Sequence, residues 1–70
     1  MNTIKFKQAM LANNDTQKEL ADALGLSQSG ISDRINGNVD FRQSEINQII
    51  LRYKLSMSDV RAIFFDQKVS

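Results

Sequence analysis

Hydrophobic residues recur at helical spacing in five segments of the chain, and this pattern predicts five amphipathic helices. The first is predicted over residues 4–13. Its inward-facing residues are expected to be Ile4, Phe6, Ala9 and Met10. Asn13 and Asn14 should end this helix, because asparagine tolerates the left-handed backbone that often closes one.

Residues 17–36 are predicted to form two short helices joined by a tight turn. Thr16 should cap the first of them, with Glu19 three residues later completing a capping box. Gly25 follows that helix directly, where a left-handed residue is usually needed and glycine adopts it most cheaply. Leu26 should then point inward, and Ser27 is a favourable cap for a second helix that begins at residue 28.

The two helices of this pair differ in their outward-facing side chains. The first has an apolar face of Leu20, Ala21 and Leu24, and the second buries Ile31 and Ile35. The outer face of the second helix instead carries hydrogen-bonding side chains throughout: Gln28, Ser29, Ser32, Asp33 and Asn36. Spacing alone is also compatible with an ordinary helical hairpin that happens to contain a glycine turn.

The C-terminal half is predicted to add two further helices. Asn36-Gly37 is a turn signal, and Val39 and Phe41 should tuck the following loop onto the core. Ser44 is expected to cap a helix over residues 45–54, closed by Leu55. Its buried stripe would be Ile46, Ile49, Ile50 and Tyr53, a spacing that favours a helix over a strand. The predicted fold class is therefore all-α.

A fifth helix should begin after Ser56, with Asp59 at the capping-box position. Its buried residues are expected to be Met57, Val60 and either Ile63 or Phe64. The adjacent rings of Phe64 and Phe65 cannot both face the same core from one helix. One of them is predicted to be exposed, unless a bend after Phe64 lets both rings pack inward.

The spacing of Ala21, Gly25 and Ile31 resembles the helix-turn-helix of lambda-type phage repressors and Cro proteins. The segment QSGISDRI is similar to a Cro recognition helix, and TQKELADALGLSQ looks like the wider Xre class of regulators. The C-terminal segments DFRQSEINQIILRY and IFFDQKVS look like small regulators of phages from Gram-positive hosts. The resemblance implies one compact five-helix, lambda-repressor-like DNA-binding domain over residues 1–70. Asp15 departs from it, because the Xre pattern commonly has an apolar residue there.

This resemblance implies that residues 28–36 enter the major groove of a double-stranded DNA operator. Base-reading roles would fall on Gln28, Ser29, Ser32 and Asp33. Gln28 is the strongest of these, because its amide can pair bidentately with adenine. Two roles stay open for Asp33, which could accept from cytosine N4 or pair with a neighbouring arginine.

Contacts to the DNA backbone are expected mainly from the start of the second helix. Family members contact a phosphate at the position of Gln17, and a helix N-terminus favours an anion there. Further phosphate candidates, each equally well explained as solvated surface, are Lys18, Asn36, Asn38, Arg42 and Gln43. Arg34 lies between the polar and buried faces, so it either reaches a phosphate or pairs with a nearby acid.

Composition narrows the function further. The 70 residues include no His and no Cys, so we expect no metal, no cofactor and no enzyme of the usual nucleophile–base kind. No small-molecule ligand is evident. The formal net charge is only +1, weak for a nucleic-acid binder, although the first nineteen residues are mildly basic. A protein-interaction module such as an antirepressor or a polymerase-contacting adaptor is therefore the alternative function.

Location and assembly complete the sequence-based expectations. No membrane-spanning run or signal peptide is evident, so a cytoplasmic, nucleoid-associated regulator is expected. A small domain with few phosphate contacts gains affinity by binding two half-sites together. We therefore predict a two-fold homodimer on DNA that uses Phe64, Phe65 and Val69. A monomer whose aromatic rings both lie in its own core is the alternative.

Overall fold

The computed structural model describes residues 1–65, which form five α-helices and contain no β-strand. In chain order the helices are α1 (Thr3–Ala12), α2 (Gln17–Leu24), α3 (Gln28–Ile35), α4 (Gln43–Tyr53) and α5 (Met57–Phe64). The predicted all-α, five-helix fold is thus confirmed for this part of the chain. With α4 the longest at 11 residues, none of these helices has the length and apolar content to cross a bilayer.

One hydrophobic core joins all five helices. Its fully enclosed side chains are Phe6, Leu20, Ile31, Ile35 and Ile49, and Ile63 supplies the contribution of α5. The ring of Phe6 lies at the centre of an aromatic group. It stacks on Phe41 at 5.4 Å between centroids and meets Tyr53 and Phe64 edge-on. The expected packing of Phe41 onto the core is therefore confirmed, and Phe64 is the ring of the Phe64–Phe65 pair that packs inward.

The α2–turn–α3 unit, residues 16–36, has the local geometry that the sequence predicts. The Thr16 hydroxyl accepts from the Glu19 N–H at 3.1 Å, and Ser27 accepts from Gly30 at 3.0 Å. Gly25 closes α2 with φ +70°, in the left-handed region. The capping box of α2 forms differently from expectation, because the Glu19 carboxylate accepts from the Thr16 hydroxyl.

The ends of α1 and α5 also follow their predicted chemistry. Asn14, directly after α1, adopts φ +52° and so supplies the left-handed residue. At α5, Ser56 and Asp59 form a reciprocal capping box. Each of these ends depends on residues that lie close together in the sequence.

Three expectations about burial are wrong. Ile4, Val39 and Met57 were predicted to face inward but are 71%, 43% and 70% exposed. Each lies at the margin of an apolar stripe or in a loop, where the neighbouring helices decide whether a side chain is covered. Leu26, Ile46 and Ile50 are half-buried.

The start of α4 is also different from the prediction. The helix begins at Gln43, with Arg42 at its N-cap, so Ser44 lies inside the first turn. The Glu45 carboxylate accepts from the Arg42 N–H at 2.9 Å and satisfies one of the free amides of that turn. Glu45 is buried as a result, 6% exposed, on a helix whose predicted buried stripe was purely apolar.

Candidate nucleic-acid interface

The outer side of α3 presents a row of polar side chains, which we call the polar face of α3. It consists of Gln28, Ser29, Ser32, Asp33 and Asn36, of which Ser32 is half-buried and the others are exposed. The opposite side of the helix carries Ile31 and Ile35, both fully buried. The helix is thus held by its apolar side and leaves hydrogen-bonding groups on the surface.

Some members of the polar face bond to each other. The Asn36 amide donates to the Ser32 hydroxyl at 3.2 Å, and the Ser29 and Ser27 hydroxyls lie 3.3 Å apart. The Asp33 carbonyl oxygen accepts from the backbone N–H groups of Asn38 and Val39 at 2.9 and 3.2 Å. Asp33 therefore fixes the following loop through its main chain while its side chain lies on the surface.

Arg34 is the flanking residue for which two roles were open, and its contacts are those of an ion pair with an acid. Its Nε donates to Glu45 at 2.9 Å and its Nη1 donates to the Gly30 carbonyl at 3.0 Å. The Arg34 and Glu45 side chains are 12% and 8% exposed. Because the guanidinium is engaged inside the protein, the structure favours the acid-pairing role of Arg34 over a phosphate contact. It is also not the arginine partner considered for Asp33.

The start of α2 is open to solvent, as a phosphate contact requires. Gln17 and Lys18 are exposed at the first two positions of the helix, after the cap at Thr16. The first amides of any helix lack partners within it and favour an anion. Gln17 and Lys18 therefore lie at the exposed start of α2, as predicted. The α2–α3 pair has the most extensive packing of the described helix pairs.

The remaining phosphate candidates lie in and after the α3–α4 loop. Gly37 turns the chain there with φ +84°, and Asn38, Arg42 and Gln43 are exposed. The Gln43 amide donates to Asn47 at 3.1 Å within α4. Arg42 is an exposed cation directly before α4.

A charged cluster around a buried carboxylate, which the sequence did not predict, lies at the junction of α1 and α2. The Asp15 side chain is 4% exposed and accepts two hydrogen bonds from Arg52, at 2.9 and 2.7 Å. The Tyr53 hydroxyl donates a further short hydrogen bond to the same carboxylate. We call Asp15, Arg52 and Tyr53 the Asp15 cluster.

The electrostatics of the Asp15 cluster follow from these contacts. The Arg52 guanidinium, more than the Tyr53 hydroxyl, holds the pKa of the Asp15 carboxyl below its ordinary value. Burial, together with the hydrogen bond to Asp15, raises the pKa of Tyr53, and Asp15 raises the pKa of Arg52. The negative charge of Asp15 is consequently compensated within the protein. Lys5, Lys7 and Lys18 then remain as exposed cations of the first nineteen residues, against Glu19.

The burial of Glu45 and the burial of Asp15 differ in how far the sequence could have predicted them. Glu45 is the third residue of a helix that starts at Gln43, so a correct cap assignment would have marked it as a capping acid. Asp15 stands where the resembling family is apolar, which is a signal of burial. Nothing local identifies its partners, which lie 37 and 38 residues away.

The aromatic pair at the end of α5 is divided between core and surface. Phe64 is half-buried against Phe6 and Phe41, with ring centroids 6.0 and 6.1 Å away. Phe65 is 57% exposed, so the expectation of one inner and one outer ring is confirmed. Among the proposed dimer contacts, Phe64 belongs largely to its own core, Phe65 is available, and Val69 lies outside the described residues.

Residues 5–67 match the family described as "Protein of unknown function (DUF739)", and the chain therefore belongs to that family. No curated protein and no solved structure is significantly similar to the chain. The family description names no activity, so function has to be inferred from the residues and contacts of the chain itself.

Proposed function

We propose that this protein is a sequence-specific, double-stranded-DNA-binding transcriptional regulator of the repressor or Cro kind, acting in the bacterial cytoplasm. The observation that carries the proposal is the polar face of α3, which exposes hydrogen-bonding groups along one side of a helix whose other side is fully buried. The left-handed turn at Gly25 joins this helix to α2, in the arrangement expected of a lambda-type helix-turn-helix.

The dimensions of α3 suit the major groove. An α-helix is about 10–12 Å across with its side chains, and the major groove of B-DNA is about 12 Å wide. Eight residues extend about 12 Å, enough to read roughly three or four base pairs at 3.4 Å each. On this proposal Gln28 pairs with adenine, Asp33 accepts from cytosine N4, and Ser29 and Ser32 make adaptable contacts.

Phosphate contacts would hold the helix in the groove. Gln17 and Lys18 at the start of α2 and Arg42 before α4 are exposed, so each is accessible to a phosphate. Two lysine or arginine contacts per copy correspond to a salt dependence of about −2 in log K against log salt. This electrostatic contribution is small and agrees with the formal net charge of +1.

A short recognition helix and few phosphate contacts favour binding of two copies to one operator. We propose a two-fold dimer on DNA, with half-sites about 34 Å apart in a near-palindrome. The exposed ring of Phe65 supports an interface at the end of α5. Val69, the other proposed contact, lies outside the described residues.

A protein-interaction module is the second candidate function. Ile4 and Leu11 are 71% and 77% exposed, and seven residues apart they lie on the same side of α1. Exposed aliphatic pairs of this kind occur on partner-binding surfaces, and they also occur on protein surfaces that bind no partner. This candidate predicts binding through α1 and no preference for any duplex sequence.

Selection from a random duplex library, followed by fluorescence anisotropy at two salt concentrations, tests the DNA-binding proposal. Gln28→Ala should weaken binding to the selected sequence by about 1–3 kcal/mol and relax the preference at one base pair. Gln48→Ala is the matched control, because it removes the same amide from an exposed position of α4 beside Leu24 and Leu51.

Variants at the start of α2 separate phosphate contacts from base contacts. Gln17→Ala should weaken binding to all sequences alike, and Lys18→Ala should reduce the magnitude of the salt slope by about 1. No enrichment of any duplex by the wild-type protein would refute the DNA-binding proposal. Enrichment with an unchanged base profile in Gln28→Ala would refute the role of Gln28.

A further inference from the structure

We propose that α4 positions the DNA-contacting helices through two buried carboxylates, with Asp15 aligning the start of α2 and Glu45 aligning α3. The inference rests on the proposed DNA-binding function and extends it to residues that do not contact DNA themselves. Asp15 and Glu45 would thus be positioning residues. They act through Gln17 and through the polar face of α3, respectively.

Asp15 is held by contacts to both α1 and α4. Its carboxylate accepts from Arg52 and Tyr53 of α4, and its backbone N–H donates to the Met10 carbonyl of α1 at 2.9 Å. The next residue is the cap Thr16, and Gln17 is the first residue of α2. A displacement of Asp15 therefore moves the end of α2 that is proposed to hold a phosphate.

Glu45 performs the corresponding role for α3. A single oxygen, Oε1, accepts from Arg34 Nε and from the Arg42 N–H, each at 2.9 Å. Arg34 also donates to the Gly30 carbonyl within α3, so the guanidinium connects two turns of α3 to the first turn of α4. This pair fixes the rotation and height of the polar face of α3 relative to α4.

Both attachments lie on one side of α4. Glu45 and Arg52 are seven residues apart, which is about two helical turns and about 10 Å along the axis. Ile49, which is fully buried, lies on the same side between them. A hydrophobic contact is not directional, whereas a charge-assisted hydrogen bond has a definite geometry. Arg52 makes two such bonds to Asp15, and Arg34 makes one to Glu45. The ion pairs are therefore suited to specify where α2 and α3 lie, and the core supplies most of the stability.

The sign of the charge effect allows positioning to be separated from simple electrostatics. Removing an acidic charge from a DNA-binding protein should strengthen its attraction to phosphates. Asp15→Asn and Asp22→Asn change the charge equally, and Asp22 is exposed on α2. If Asp15 is a positioning residue, its substitution weakens binding although the charge change favours it.

The test measures anisotropy of labelled duplexes with the full chain, at a temperature where circular dichroism shows each variant to be folded. Asp15→Asn is expected to weaken binding to specific and unrelated duplexes alike by about tenfold or more, which corresponds to the loss of one hydrogen bond to a charged group. Asp22→Asn should bind at least as tightly as wild type. In a Gln17→Ala background the effect of Asp15→Asn should disappear, because both act through the same contact.

Glu45→Gln should leave a different signature. The amide can still accept from Arg42 but no longer forms an ion pair with Arg34, so α3 is expected to shift and the base-preference profile to change. Tyr53→Phe is the milder companion of Asp15→Asn, because it removes one hydroxyl donor and keeps the ring in the core. It should weaken binding to all duplexes in the same direction, and it decides the question if Asp15→Asn does not fold.

Three results distinguish the possible failures. A wild-type protein that binds no duplex refutes the proposed function and this inference with it. If the wild-type protein binds DNA, equal affinities of Asp15→Asn and Asp22→Asn overturn the role of Asp15. If Asp15→Asn is unfolded, a Tyr53→Phe variant that binds as tightly as wild type overturns it instead. If Glu45→Gln is folded and its base-preference profile is unchanged, the role of Glu45 is overturned. If Glu45→Gln is unfolded, Arg34→Lys is measured in its place, and an unchanged base-preference profile again overturns the role.

Discussion

Replacing Gly25 by valine tests the turn on which the arrangement of α2 and α3 depends. Gly25 has φ +70° and ψ +29°, a conformation that residues with a Cβ adopt at a cost. A Cβ built at this position meets no atom within 4 Å. A Cβ at this position therefore meets no clash, and the loss of stability expected for Gly25→Val comes from backbone strain at positive φ.

The expected magnitude follows from two opposing effects. The left-handed region costs an ordinary L-residue about 1–2 kcal/mol, and a strained β-branched residue up to about 3 kcal/mol. The valine also restricts the unfolded chain, which offsets about 0.4–1 kcal/mol of that cost. A net loss of about 2 kcal/mol is expected, equivalent to a fall in Tm of about 8–16 °C for a domain of this size.

Thermal unfolding followed by circular dichroism measures this difference. Ala23→Val is the matched control, because it places valine at an exposed position of the same helix and should cost no more than about 0.7 kcal/mol of helix propensity. Gly25→Asn should lie close to wild type, since asparagine visits the left-handed region. A Gly25→Val protein that melts together with Ala23→Val would refute the left-handed turn.

Three further predictions concern acid stability, the aromatic pair and the helix caps. The ionised Asp15 stabilises the fold above its ordinary pKa of 3.8, and this contribution is lost as the pH falls through the lowered folded-state pKa. Asp15→Asn should therefore show a weaker acid dependence in urea unfolding, and an unchanged one would contradict the pKa shift. Phe64→Ala should lower the free energy of unfolding by about 2 kcal/mol, less than for a fully buried phenylalanine because its ring is half-buried. Phe65→Ala should change it by no more than about 0.5 kcal/mol and should weaken dimerisation on the operator in sedimentation. Equal stability losses would contradict the division of the pair. Ser56→Ala should cost about 1 kcal/mol as a lost cap and Ser44→Ala much less, so the reverse order would contradict the observed start of α4.

The parts of the fold that were predictable from sequence depend on short-range chemistry. Thr16, Ser27 and Ser56 cap helices because a hydroxyl reaches an amide three residues later. Gly25 ends α2 because glycine has no Cβ to strain. Such signals lie within one helical turn, so one sequence is enough to find them.

The parts that were missed depend on residues far apart in the chain. Periodicity gives the direction of an apolar stripe but not its width, so Ile4 and Met57 were placed inside although no neighbour covers them. The pairing of Asp15 with Arg52 and Tyr53 spans more than half of the chain. A local reading could treat Asp15 only as a charge near the start of α2.

The start of α4 shows how local and long-range effects compete. Ser44 has the side chain of a good cap, yet Arg42 occupies the N-cap because Glu45 accepts from both Arg42 and Arg34. The buried ion pair with α3 thus accompanies an earlier helix start than serine capping predicts. On the candidate interface, the exposed side chains could be predicted from their spacing along α3. The ion pair of Arg34 with Glu45 could not, because it depends on how α3 packs against α4.

DNA recognition through α3 is tested most directly by mapping backbone amide chemical shifts during titration with a selected operator duplex. We expect the largest changes to fall on the polar face of α3, from Gln28 to Asn36, and at Gln17 and Lys18. Smaller changes should follow at Arg42, and the exposed side of α1 should be unaffected. Changes centred on Ile4 and Leu11, with α3 unaltered, would contradict DNA recognition through α3 and favour a protein-interaction module.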